Sequence, residues 1–259
     1  MDKDTDAGGP PTLEIADAIA TITLRRPAVA NRLELVDLEV LQGHLAQVNA
    51  SAAVRVLRLA STGRHFCSGF NVGQVAAENV GPGARFEALA DAIEAARPVT
   101  IAAIQGGVFG GACDLVLACD FRLGTPACEM FVPAARLGLH FYRGGLERFV
   151  DRLGLAAAKR VMLAAESFDA RGMREIGMLD RIVDPAEGLM LAVDALSADL
   201  AGMAPLALLP MKKHLNRIAH GRLDADEIAR DIAAAEVSDD LREGSLAWRQ
   251  RRTPRFVGR

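Results

Sequence analysis

Paired cysteines are missing from this 259-residue chain. Its four, Cys67, Cys113, Cys119 and Cys128, form no CxxC pair, and no histidine stands at zinc-finger spacing from them. A finger-type zinc site is excluded, and a disulfide framework is not expected in a chain of this length. The four read as buried free thiols in a reducing compartment. A basic excess is missing too: 30 Lys and Arg face 33 Asp and Glu, for a net charge of −3. A nucleic-acid footprint needs a strong basic bias, so no nucleic-acid partner is expected. No run reaches the ~18 consecutive apolar residues of a membrane span. The opening MDKDTDAGGPP is polar where a secretory leader would be apolar. The expectation is a cytoplasmic protein with no membrane partner. Also absent are GxGxxG after a strand, GxxxxGK followed by Ser or Thr, HExxH and GxSxG. Nucleotide phosphate transfer, zinc proteolysis and α/β-hydrolase chemistry therefore lack support, and no metal is expected.

What is present is enough apolar material, 51% of residues, for a packed globular core. AIATITL (18–24), VRVLRLA (54–60) and VTIAAI (99–104) read as strands. Between them Leu38, Leu41, Leu45 and Val48 recur at helical spacing, as do Phe86, Leu89 and Ile93. A further helix is expected over about 110–118 and a short strand over 120–123. Strands alternating with helices predict an α/β fold with a largely parallel sheet. Beyond about residue 143 the pattern is mostly helical, with Gly154, Gly177, Gly202 and Gly221 as helix stops.

Two segments stand out. In AAIQGGVFGGACDLVLACDFRL (102–123) a buried strand runs into Gly106-Gly107, then Val108-Phe109, then Gly110-Gly111 opening a helix. Glycine there lets the backbone approach a ligand with no Cβ in the way. NH groups at a helix start are unpaired and sit at the positive end of the helix dipole. The Gly111 NH is thus placed to hold an oxyanion. The same glycines equally serve close packing of helix on sheet, and the residues alone leave both readings open. The other segment, STGRHFCSGFNV (61–72), follows a strand and by itself is a generic loop.

Together, in this order, they resemble the enoyl-CoA hydratase/isomerase (crotonase) superfamily. That family runs from a strand into a loop GxxFxAGxDL, then a helix, then a strand ending in NGxxxGGGxEL. This chain has GRHFCSGFNV and QGGVFGGACDL in those places. LRRPAVANRL (24–33), LGLHFYRGGLERFVDRLG (137–154) and RRTPRFVGR (251–259) are similar to the family's first turn, later helix entry and closing segment. The resemblance covers about residues 15–259. It implies a crotonase-like spiral of ββα units with a helical C-terminal region. The implied division is a disordered tail at 1–12, an α/β core at 13–200 and a helical trimerisation region at 201–259. It also implies an acyl-CoA thioester substrate, with coenzyme A as part of it and no separate cofactor, and a homotrimer or dimer of trimers.

Residue by residue, the resemblance assigns the oxyanion hole to the backbone NH groups of Phe70 and Gly111. The turn holding Ala28 and Ala30, the loop from Ser68 to Val72, Gly107 and Phe256 would bind substrate. Phe256 and Arg259 would close over coenzyme A; a docked helix end is the alternative for both. Asp114 takes the place of the first family glutamate, three residues after Gly111 and on the same helix face. It is the expected acid/base, unless it only complements the helix dipole. The second glutamate is replaced by Ala134, which cannot transfer a proton. Tyr142 stands where some family members keep a functional Asp and is the second catalytic candidate. His140, Glu129 and Arg136 read more simply as surface residues. Val108, Phe109, Phe131 and Phe141 suggest a partly aromatic pocket wall. The implied activity is enolate chemistry of the hydratase/isomerase type. Decarboxylation within the same superfamily and a non-catalytic acyl-CoA-binding subunit are the alternatives.

Overall fold

The computed structural model describes residues 8–71 and 82–259. The chain begins with two antiparallel strands, β1 (Gly9–Ala16) and β2 (Ile19–Arg25). Residues 9–12, expected in a loose tail, therefore belong to the sheet. Their pairing with β2 satisfies backbone groups that a tail would leave to water. To β2 are added, all parallel, β3 (Val56–Ser61), β4 (Val99–Ile104), β6 (Phe121–Gly124) and β9 (Arg181–Ile182). Every residue of β4 is buried, as suits a central parallel strand covered on both faces.

A second, smaller sheet runs β5 (Val108–Phe109), β7 (Glu129–Phe131), β8 (Phe168–Asp169). Two isolated parallel bridges, Cys67 to Val108 and Leu33 to Phe70, extend this layer toward the N-terminus. One pattern then repeats: a strand in the large sheet, a short piece in the small layer, and a helix. The helices are α1 (Leu35–Ala50), α2 (Pro82–Glu94), α3 (Ala112–Leu117) and α4 (Arg143–Met162). This is the spiral of ββα units, written in structure without any sequence repeat.

Burial follows the periodicities. Leu38, Leu41, Leu45 and Val48 of α1 face the main core together with Phe86 and Leu89 of α2. A second cluster lies between the other face of the large sheet and α6 (Leu189–Ala201), around Val56, Ile101 and Val193. α5 (Ala170–Glu175), α7 (Pro205–Ala219), α8 (Ala225–Glu236) and α9 (Asp239–Gln250) complete the helices of the described residues. The stretch 143–162 is assigned as one helix, bent at Gly154, whose φ of 77° is not helical. The glycine read as a stop is thus a kink, because the chain resumes its helix immediately.

One polar side chain ties the first spiral turn to the second. Asn31, 1% exposed and at a φ of 52°, accepts from the Arg26 NH at 2.8 Å. Its amide donates to the Thr62 and His65 carbonyls at 2.7 and 2.9 Å. Asn31→Ala should lower stability by about 1–3 kcal/mol, because it strands those carbonyls and forces a left-handed backbone on alanine. A shifted urea midpoint at unchanged slope would register it. The four thiols are buried, and burial pushes Cys67 and Cys119 up to about 12. Native protein at pH 8 should therefore resist alkylation and take up four labels only after unfolding, counted by mass.

Candidate active site

Two loops meet edge to edge at the end of β4. From one side, the Leu33 NH donates to the Gly69 carbonyl at 2.8 Å, and the Asn71 NH donates to the Leu33 carbonyl at 3.0 Å. In such a parallel bridge the residue between the two partners turns its own NH outward, so Phe70 points away from Leu33. From the other side, the Phe109 NH donates to the Cys67 carbonyl at 2.9 Å, and the Gly110 NH to the Phe131 carbonyl at 2.8 Å. The chain then enters α3, with Gly110 at a φ of 58° and Gly111 as the N-cap. Among the described residues, neither the Phe70 NH nor the Gly111 NH donates to any acceptor. Both residues are half-buried, so the donors are not sealed in the core.

Gly69 makes this approach possible. Its φ is +84°, and a Cβ on it would lie 2.9 Å from the Phe109 oxygen and 3.1 Å from the Gly111 nitrogen. Only a residue without a side chain lets the two backbones touch. The two strands thus bring two unpaired donors to one place, an arrangement able to hold a developing oxyanion.

Asp114, on α3, is completely buried. Its carboxylate accepts from Arg148 twice, Nε to Oδ1 at 2.9 Å and Nη2 to Oδ2 at 2.7 Å. The Tyr142 hydroxyl donates to Oδ2 at 2.7 Å. Arg148, itself 1% exposed, also donates to Asp91 at 2.6 Å and Glu94 at 3.2 Å. Burial pushes the Asp114 carboxyl up; the bonds and charge of Arg148 and the bond from Tyr142 oppose it, while the charge of Glu94 adds to it. Burial works against the Arg148 charge, but Asp114, Asp91 and Glu94 outweigh it and hold the guanidinium above its ordinary value. Tyr142 is raised by burial, then by the charge of Asp114 and by the hydrogen bond that its hydroxyl donates to that carboxylate. Asp114 is therefore out of reach of solvent, while among the groups linked to it Asp91 is exposed and Tyr142 is partly exposed.

The other expected residues divide. Ala30 and Ser68 lie together next to Gly69: the Ser68 NH donates to the Ala30 carbonyl at 2.9 Å. Ala28 is exposed on the neighbouring turn, and Val72 lies outside the described residues. Gly107 faces no ligand. It is buried, and a Cβ there would meet the Phe109 ring at 2.4 Å and His65 Nδ1 at 2.7 Å, so its role is packing. Phe256 is not brought to the hole of its own chain. Its carbonyl accepts from Arg55 at 3.2 Å and its ring lies against Gly244 of α9. The Arg259 carbonyl accepts from the Asp239 NH at 2.6 Å, the docked helix end read as its alternative. Ala134 is half-buried in a short 3-10 turn. His140 is exposed and bonded to the Phe141 carbonyl, Glu129 is exposed, and Arg136 lies over the Phe131 ring at 5.3 Å. Sequence reasoning missed Arg148, which lies 34 residues from Asp114 with no local pattern to link them. It also missed Asn31 and the placement of Phe86. A cleft of about 1140 Å³ opens between α2, α4 and α7, with Arg148 in its lining, but neither Phe70 nor Gly111 faces it. The unpaired donors mark the site better than volume does.

A model of the family described as enoyl-CoA hydratase/isomerase matches residues 14–259. A peroxisomal Delta(3,5)-Delta(2,4)-dienoyl-CoA isomerase of Arabidopsis thaliana is 26% identical over 269 residues, covering 95% of this chain and 97% of the relative. A short-chain-enoyl-CoA hydratase of Clostridium acetobutylicum is 25% identical over 210 residues, covering 79% and 80%. The crystal structure of an enoyl-CoA hydratase from Bacillus anthracis superposes with a TM-score of 0.87 at 26% identity, covering 97% and 100%.

The buried ion pair yields a stability test. Arg148→Met should cost about 3–5 kcal/mol near pH 8 by leaving Asp114 charged and unpaired. With the cation gone, burial raises the carboxyl further and the folded state binds more protons than the unfolded chain. Stability of the variant should then fall as pH rises, so its deficit is smaller at pH 5 than at pH 8. The double variant with Asp114→Asn should lose less than the sum of the two singles in denaturant titrations.

Proposed function

The chain belongs to the enoyl-CoA hydratase/isomerase family, and from that premise we propose that it forms acyl-CoA enolates and moves a proton through Tyr142, as in double-bond isomerisation. The observation that carries this is the pair of unpaired NH groups on Phe70 and Gly111. A thioester oxygen set between them gains negative charge as the enolate forms, and the donors need no reorganisation to meet it.

The balance of the step is simple. The C–H bond beside the carbonyl system breaks, its proton passes to the Tyr142 oxygen, and the phenol passes its own proton to Asp114 Oδ2. The electron pair moves into the enolate. Reversal at the γ-carbon returns the proton and shifts the double bond. Hydration asks for more, namely a base to activate water and an acid to protonate carbon. Ala134 offers neither, and Asp114 is held by Arg148 and Tyr142 without contact to water.

The burial of Asp114 away from any substrate carbon favours decarboxylation as a second reading. Loss of CO2 leaves its electron pair on the substrate and builds the enolate without any base. Self-association is also part of the proposal, as a trimer or dimer of trimers. It is supported by large apolar side chains exposed on the C-terminal helices, among them Trp248 at 87% and Leu215 at 66%.

Incubating the protein in D2O with enoyl-, 3-hydroxyacyl- and malonyl-type CoA thioesters separates the readings by product mass. Deuterium uptake without water is expected. Addition of water would mean hydration, loss of CO2 the second reading, and tight binding without turnover a non-catalytic subunit. Gly69→Ala should reduce enolate exchange by at least ~100-fold with the fold intact by circular dichroism, because its Cβ enters the hole. Tyr142→Phe should abolish exchange and leave the thioester Kd within about threefold, since only the transition state uses the phenol.

A further inference from the structure

Beside the hole stands a side chain that the chemistry above does not use. Phe86, on α2, is 3% exposed. Its ring carbons Cε1 and Cζ lie 2.8 and 2.9 Å from the point where a Cβ on Gly111 would stand, so the ring rests on the bare Cα of that glycine. The Phe70 ring meets it edge-on with centroids 6.3 Å apart. The Tyr142 ring lies on another side at 6.3 Å, tilted by 45°. One side chain thus borders both residues of the hole and the residue that moves the proton.

That position has a direction. A thioester carbonyl held by two NH groups sends its two substituents away on opposite sides of the carbonyl carbon. With the coenzyme A arm on the side of Ser68 and Ala30, as the family resemblance implies, the sulfur leaves toward them. The acyl arm must pass Tyr142, since its reacting carbon meets the phenol. Phe86 borders that second course. The barrier continues behind it: Phe141 stacks on Tyr142 at 4.7 Å and meets Phe149 edge-on at 5.8 Å. Rings packed on several sides yield less readily than a flexible aliphatic chain.

We propose that Phe86 sets the size of the acyl group, so that short acyl-CoA thioesters are accepted and long-chain ones rejected. The inference rests on the acyl-CoA reading and adds to it the substrate class. Glycine at 111 and phenylalanine at 86 are then two halves of one device. The first exposes an NH, and the second fills the space that the missing side chain leaves, on the side where the acyl group must run.

The test uses saturated acyl-CoA thioesters of four, eight and twelve carbons with the full chain, Phe86→Ala and Phe86→Leu. Calorimetry gives Kd, and mass spectrometry in D2O gives α-hydrogen exchange. In the unaltered protein, exchange should favour four carbons over twelve by at least ~100-fold. Phe86→Ala should reduce that ratio by about tenfold or more, with Phe86→Leu in between. If the alanine variant does not fold, as a thermal melt would reveal, the leucine variant carries the test because it retains most of the volume. An unchanged ratio in a folded variant overturns the role of Phe86 while leaving the acyl-CoA reading standing. A preference of the unaltered protein for twelve carbons does the same. Absence of both binding and exchange with every thioester overturns that reading, and this inference with it.

Discussion

The whole site depends on two backbones being in contact at Gly69. Peptide groups rarely stay unpaired inside a protein, since each one buried without a partner is costly. The fold leaves two of them free by satisfying everything around them. Leu33 takes up the bonds of Gly69 and Asn71, Cys67 those of Phe109, and Phe131 that of Gly110. What is left is a pair of donors held by short strands rather than by mobile side chains. Their directions follow from strand pairing and the turn at Gly110, and no rotamer can undo them.

The acids are governed by a different balance. Asp114 is deep enough that desolvation disfavours its charge, and Arg148 opposes this with a bidentate contact without cancelling it. Asp91 and Glu94 share the same guanidinium. The result is an electrostatic unit that reaches the surface at Asp91 and in which the partly exposed Tyr142 donates to Asp114. Activating a water molecule takes a carboxylate oxygen open to it, and Asp114 is wholly buried.

The α/β organisation and most element positions were legible because burial imposes periods of 3.6 and 2 on the residues, as in α1 and β4. Gly69 and Gly111 were legible because backbone approach demands glycine and leaves a written mark. Other features carry no such mark. β5, β7 and β8 are two or three residues long and too short to show a period. β1 begins inside a Gly- and Pro-rich stretch that reads as tail. Arg148 belongs to an arginine-rich segment, and only the fold picks it out as the partner of Asp114. Phe86 reads as an ordinary core residue of α2, and in burial it is one. Its meaning comes from Gly111 lying underneath. Gly107 misled for the opposite reason: a glycine that serves packing looks the same in sequence as one that serves a ligand.

The small layer is assembled from pieces at residues 33, 67–70, 108–109, 129–131 and 168–169, each from a different stretch of the chain. No piece is long enough to be stable alone; four follow a strand of the large sheet and the last follows α4. Non-local pairing of this kind comes late, because loop-closure entropy must be overcome before the contacts return anything. The pairing that sets the Phe70 and Gly111 NH groups is therefore expected to form late in folding and to disperse early on opening. Those two NH groups thus mark completed folding, since their placement needs pieces from separate turns of the chain to be in register.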